Sequence, residues 1–265
     1  MEEPAFRAAL IAANSAAEIQ SIQGLVENEL ADWDLEGFAD LSELMAATRA
    51  RNFYPDLTVV CQRFRDQFAA REIEPALMQL PLARWICVYG AWCESEGRHG
   101  SLWPTAFRVP VRSFHARLIA EVAVVEGRRH ALPITADREE IFEFDSVTEF
   151  PQVPRANASA VVIGSDREIR LWLIDLLNGA GLKPISHSPE KSPDAVVIDL
   201  DPVSKNSCSQ LSSLKQQYPA ARIIAMRDRL DLSVDRQLEA AGADLVVSKL
   251  SPPAQLAFEM RSCLR

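Results

Sequence analysis

The sequence contains no run of 18 consecutive apolar residues, so no segment has the length and character of a membrane-spanning helix. It is also short of positive charge. Against 28 Lys and Arg stand 37 Asp and Glu, a net charge of −9, and no basic face for neutralising nucleic-acid phosphates is expected. The opening MEEPAFRAALIAAN is acidic where a secretory leader begins basic, so no leader is expected. The five cysteines (Cys61, Cys87, Cys93, Cys208 and Cys263) provide neither C-x-x-C spacing nor an even set for pairing. Cys61, Cys87 and Cys263 lie in apolar patterns and read as small buried hydrophobes in a cytoplasmic protein with reduced thiols. The ten glycines form no glycine-rich phosphate loop. What remains is a chain of 265 residues, 48% hydrophobic, enough for one large domain or two ordinary ones.

An internal repeat favours two. PDLTVVCQ at 55–62 parallels PDAVVIDL at 193–200, and PLARWICVYG at 81–90 parallels PAARIIAMRD at 219–228. In both copies 26 residues separate the two prolines, Pro55 from Pro81 and Pro193 from Pro219. Upstream, ALIAANSAAEI at 9–19 aligns with 159–169 at an offset of 150, so Asn14 and Ser15 correspond to Gly164 and Ser165. Three matched segments in one order indicate tandem duplication.

The second copy is the clearer. SAVVIG, AVVIDL, RIIAM and DLVVSK are short β-branched runs suited to strands buried on both faces, with KPISHS as a weak further strand. Helical stripes separate them. Ile169, Leu173, Leu176 and Leu177 form one, with Ser165 and Glu168 spaced as its capping box. Leu211, Leu214 and Tyr218 form the next; Val234, Leu238 and Ala241 follow, closed by Gly242. Ser251 with Pro252 and Pro253 opens a last helix. Strands alternating with helices predict a five-stranded parallel sheet in the doubly wound order 2-1-3-4-5.

The first copy predicts strands at 8–13, 57–62 and 84–90, helices near 16–30 and 41–51, a fifth strand in FRVPVRS, and a final helix through Phe114, Leu118, Val122 and Val125. GAWCESEGRHGSLWP stands where a fourth helix is due. The expected division is a divergent domain over 1–128, a linker over 129–157 with strand-like character at EIFEF, and a second domain over 158–265.

DAVVIDLDPVS at 194–204 and AGADLVVSKLSPP at 241–253 resemble the phosphorylation pocket of response-regulator receiver domains, and the resemblance covers residues 157–265. The chain as a whole resembles a tandem pair of degenerate receivers, or pseudo-receivers, each flavodoxin-like in fold. The resemblance puts Asp199 on the phosphoacceptor and Lys249 on the family's lysine, with Leu250 in place of the usual proline. It also implies a Mg²⁺-holding acidic pair after the first strand and a Ser or Thr after the fourth. Here those positions carry Gly164 and Ser165, with Asp166 one place late, and Arg227, whose guanidinium is expected to reach Asp199. A carboxylate meeting an anionic phosphoryl group needs a divalent cation and a positive side chain, so a degenerate pocket of Asp166, Asp199, Arg227 and Lys249 is expected, with Asp199, Arg227 and Lys249 in a static ion-pair cluster. In the first copy the acceptor position is Cys61, which cannot serve that chemistry.

A second candidate is the loop WCESEGRHGSLWP at 92–104. Trp92, Cys93, Glu94, Arg98, His99 and Trp103 there read as an interaction surface, since Trp and Arg favour binding hot spots. A Cys93–His99 nucleophile pair or a metal site is the rival reading of this loop. His115, His130 and His187 read as structural or solvated, the first two at the surface.

By resemblance, the protein is expected to be a non-enzymatic signalling adaptor or scaffold. Residues 228–265 would give its contact face, for a protein partner or a homodimer, with no nucleic-acid or membrane partner. No cofactor is implied, save Mg²⁺ if Asp199 accepts phosphate. Two alternatives stand: a receiver still phosphorylated at Asp199 with a relaxed metal site, and a two-lobed small-molecule binder or enzyme using an interdomain cleft.

Overall fold

The computed structural model describes the chain except residues 1–5, 13–16, 66, 91–92, 94–102, 134, 147–157, 187–191, 205, 229–231 and 265. The chain divides into two compact units, residues 1–148 and 149–265.

In the first unit, β1 (Arg7–Ile11), α1 (Ala17–Glu29), β2 (Asp34–Phe38), α2 (Leu41–Arg51), β3 (Leu57–Gln62), α3 (Ala70–Gln79), β4 (Arg84–Tyr89), β5 (Phe107–Pro110), α4 (Val111–Val125) and α5 (Arg138–Ser146) follow in order. The strands form one parallel sheet in the order β2-β1-β3-β4-β5. All six residues of the central strand β3 are buried, as a parallel strand covered by helices on both faces must be. Alternate side chains serve opposite faces. Val60 and Cys87 pack with Leu44 of α2 and Ile73 of α3, whereas Val59, Cys61 and Ile86 pack with Val26 of α1 and Leu118 of α4.

The second unit runs β6 (Ser159–Ile163), α6 (Arg167–Gly179), β7 (Lys183–Pro184), β8 (Ala195–Asp199), α7 (Ser207–Gln217), β9 (Arg222–Arg227), α8 (Leu232–Ala240), β10 (Leu245–Ser248) and α9 (Pro253–Cys263). Its sheet order is β7-β6-β8-β9-β10, all parallel, which is again 2-1-3-4-5 counted within the unit. Leu173 and Leu177 of α6 and Leu256 and Met260 of α9 cover one face; Leu211 of α7 and Leu238 of α8 cover the other. Both units are therefore doubly wound, flavodoxin-like α/β domains. After α8, Gly242 takes φ +117°, which an L side chain rarely adopts, and a Cβ there would stand 3.2 Å from Lys215 Cβ.

The two units share their register as well as their strand order. Leu57 pairs with Arg84 and Ile86 with Phe107; 138 residues on, Ala195 pairs with Arg222 and Ile224 with Leu245. The Asp of each PD motif ties the sheet together at its foot. Asp56 Oδ2 accepts from the Arg7 amide at 2.8 Å, and Asp194 Oδ2 accepts from the Ser159 amide at 2.7 Å. That pairing sets Arg7 against Ser159, an offset of 152 rather than the 150 read from the sequence. At that offset Ala12, not Asn14, matches Gly164; residues 13–16 lie outside the described residues.

Three local expectations need correction. EIFEF is not strand-like: it lies in helix α5, within the segment read as a linker. Asp137 and Glu140 form a reciprocal capping box, with amide-to-carboxylate bonds of 2.8 and 2.9 Å. Phe144 of α5 is buried, with the Arg129 and Arg117 guanidinium groups 3.6 and 5.0 Å from its ring centre. At α6 the cap is Asp166 rather than Ser165, because Asp166 stands directly before the helix, where its carboxylate accepts the free amides of the first turn. The weak strand KPISHS survives only as the two-residue β7.

Candidate functional site

At the carboxyl ends of the second sheet's strands, Asp199 closes β8 and Lys249 follows β10. Lys249 Nζ lies 2.8 Å from Asp199 Oδ1 and 2.5 Å from Asp201 Oδ2. The Asp199 side chain is only 3% exposed, and those of Lys249 and Asp201 are mostly buried. The Lys249 amide bonds to the Arg227 carbonyl at 2.7 Å, which fixes the base of the lysine at the end of the sheet. Burial disfavours the lysine's charge, but hydrogen bonds and charge from Asp199 and Asp201 outweigh it, so its pKa stands above the ordinary 10.5. The ammonium is thus held as a cation between two carboxylates at neutral pH. Asp201 is a site residue that the sequence reading missed.

The other predicted members are placed elsewhere. Asp166 is exposed, and its Oδ1 accepts the Glu168 and Ile169 amides at 2.8 and 3.0 Å, so it is committed to capping α6. Gly164 leaves no side chain where a metal-holding carboxylate would start. A Cβ there would touch both Asp199 Cβ and Arg170 Cγ at 3.4 Å. Arg170 donates from Nη1 to the Gly164 carbonyl at 2.7 Å, setting a second cationic side chain beside this position. Arg227 does not pair with Asp199 as expected. Its Nη1 meets Asp235 Oδ1 of α8 at 2.6 Å, and both side chains are about nine-tenths buried. The guanidinium follows the nearer buried carboxylate, since Asp199 is already matched by Lys249. Among the described residues, no group of three or more His, Cys, Asp or Glu side chains is arranged to hold a metal ion.

The shared register places the equivalent residues of the first unit. Cys61 stands at the Asp199 position, buried at 2% exposure, with Tyr89 in place of Arg227 and Val111 in place of Lys249. Neither a carboxylate nor an ammonium is present at these positions, so this strand end is apolar where its counterpart is ionic.

The 92–104 loop is corrected at Cys93 and Trp103. Trp103 is buried at 2% exposure, edge-on to Phe68 at 5.7 Å and tilted against Trp85 at 6.1 Å. Cys93 is buried at 1%, with its sulfur 4.0 Å from the Gln62 carbonyl. Both belong to the core, because the large apolar ring and the thiol fill the space over β3 and β4. Trp92, Glu94, Arg98 and His99 lie outside the described residues, as does His187. His115 is buried rather than at the surface, with Nε2 2.9 Å from Glu29 Oε1; His130 is exposed.

One charged cluster escaped sequence reading. Glu121 of α4 is fully buried and paired with Arg84 of β4 and, at 3.3 Å, with Arg117 one turn back. The two guanidinium groups lie 5.5 and 4.7 Å from the Phe107 ring centre. An Arg–Glu spacing of four on an otherwise apolar helix was its only sequence signal.

No protein-family model matches the chain, and no curated protein matches it. Solved structures similar to it include a response regulator from Thermotoga maritima, at 15% identity and TM-score 0.37, spanning 40% of this chain and 97% of that one. An orphan response regulator of H. pylori shows 17% identity and TM-score 0.36, over 42% of this chain and all of that one. A LuxR-family two-component response regulator from Aurantimonas sp. SI85-9A1 shows 22% identity and TM-score 0.37, over 41% and 86%.

Proposed function

We propose that this protein is a non-catalytic signalling adaptor, built from two receiver-like units that act through protein contacts without phosphorylation. The observation that carries this reading is the missing acidic pair after β6: Gly164 offers no side chain there and Asp166 is committed to capping α6, so Asp199 and Lys249 stand without the carboxylates that would share a divalent cation with them. A phosphoacceptor carboxylate must be free to attack and must share a metal with the incoming phosphoryl group. Asp199 is paired with Lys249, and the metal-holding positions carry Gly164 and a capping Asp166.

The Arg227–Asp235 pair supports the same reading. It ties the end of β9 to α8 with a buried ion pair, so the fourth strand and the third helix of this unit are fixed to each other without a phosphoryl signal. The contact surface is the α8–β10–α9 face over residues 228–265, where Leu250 is 57% exposed, and its partner is another protein or a second copy of this chain. No nucleic acid, membrane or cofactor enters this role, and among the described residues no helix is long and apolar enough to cross a membrane.

The test is intact-mass analysis after incubation with Mg²⁺ and acetyl phosphate, beside an ordinary receiver as positive control. No added phosphoryl group is expected on this chain. A mass gain of one phosphoryl group that disappears in Asp199→Asn overturns the proposal in favour of a live receiver.

A further inference from the structure

The first unit contains a cavity that the signalling role does not use. Its volume is about 650 Å³, within the range of roughly 300–1,000 Å³ typical of small-ligand sites. It lies at the amino ends of β4 and β5, the opposite end of the sheet from Cys61. The walls come from the end of α3, the 80–85 turn and strand start, the 104–107 turn, and the 132–141 segment leading into α5. They are mainly apolar, with Leu77, Trp85, Phe107 and Ile141 among them.

Two features separate this cavity from an ordinary packing defect. Met78 and Leu82 both line it, at 81% and 94% exposure, and they are the most exposed large apolar side chains of the described residues. Exposed apolar groups gathered at one opening mark a binding surface rather than a folding need. The second feature is Arg84, the one cationic side chain of the wall. Its Nε is held by Glu121 and its guanidinium lies against Phe107, while Nη2 is buried with no hydrogen-bond partner in the protein. A buried donor without an acceptor is costly, and an acceptor brought by a ligand would satisfy it. Glu74, the other charged lining residue, is exposed on α3 and makes no such demand.

We propose that this cavity binds a small amphipathic carboxylate, with its apolar body against Leu77, Met78, Leu82 and Trp85 and its carboxylate on the Arg84 guanidinium. Charge complementarity selects the acid, since a carboxylate accepts two guanidinium donors at once where an alcohol offers one neutral oxygen. The site is independent of the Asp199 pocket, being built wholly from the other unit.

Isothermal titration of the full chain with dodecanoate and with dodecanol, both below their aggregation concentrations, tests the proposal. One-to-one binding of dodecanoate is expected, with dodecanol about tenfold weaker for want of the charged bond. Leu82→Asp, at a position too exposed to affect folding, is expected to weaken dodecanoate binding about tenfold by like-charge repulsion at the opening. Leu171→Asp, at an exposed apolar position on α6 of the second unit, is expected to leave binding unchanged. Absence of saturable binding, equal affinity for acid and alcohol, or a Leu82→Asp variant that binds as the parent does would each overturn it.

Discussion

Arg227 Nη1 and Asp235 Oδ1 stand 2.6 Å apart, joining the end of β9 to α8 through two side chains that are each only 10% exposed. The position that would carry a hydroxyl in an active receiver is therefore occupied by half of an ion pair. Breaking such a pair leaves one charge buried alone. Asp235→Asn or Arg227→Met is expected to destabilise the second unit by about 3–5 kcal/mol, measured by urea unfolding. The double variant Arg227→Met with Asp235→Leu should recover most of that loss, because removing both charges also removes their desolvation cost.

Lys249 gives a prediction on the alkaline side. Its pKa in the folded protein is above 10.5, so the stabilisation it supplies is complete below that value and is lost as pH rises through the folded-state pKa. Lys249→Met leaves Asp199 and Asp201 without their cation and is expected to cost about 3 kcal/mol at neutral pH. The difference in stability between parent and variant should stay constant up to about pH 10 and shrink above it, as denaturant midpoints across that range will record.

Asp194 acts on the acid side. The Ser159 amide and hydroxyl bind its carboxylate and hold its pKa below the ordinary 3.8. Stabilisation from a depressed carboxylate is present above 3.8 and is lost as pH falls through the folded-state value. Asp194→Asn should therefore lower the urea midpoint of the second unit at neutral pH, and the gap between parent and variant should close as pH falls below about 4. A gap that persists unchanged at pH about 2 would show that the strand-foot bond does not depend on the carboxylate's charge.

The fold was legible because its signals are local. Buried parallel strands read as short β-branched runs, and the two copies keep one spacing from Pro55 to Val111 and from Pro193 to Lys249. The first strand was misaligned by two residues, since Ala-rich sequence on either side offers no marker; only the bonds of Asp56 and Asp194 fix it. Helix α5 was missed because the short, aromatic-rich EIFEF has the composition of a strand, although Asp137 and Glu140 carry the spacing of a capping box.

The site was legible at Asp199 and Lys249, which sit at strand ends set by the fold. Asp201 was not, because it follows the strand end and its pairing with Lys249 depends on the path of the loop. The partner of Arg227 was likewise hidden: eight residues separate it from Asp235, and only the packing of α8 on β9 brings them together. Trp103 misled for a different reason. Its composition fits an interaction loop, whereas the gap above β3 and β4 draws the ring into the core.

The central claim is that the Asp199 pocket, with Gly164 and a capping Asp166 at the positions of the acidic pair, does not hold a divalent cation. Titration of the protein with Mn²⁺, followed by water-proton relaxation, tests it without any need for a phosphodonor. The account predicts that the parent protein and Asp199→Asn show the same weak, non-saturating response. Saturable Mn²⁺ binding by the parent that Mg²⁺ displaces and Asp199→Asn abolishes would contradict it.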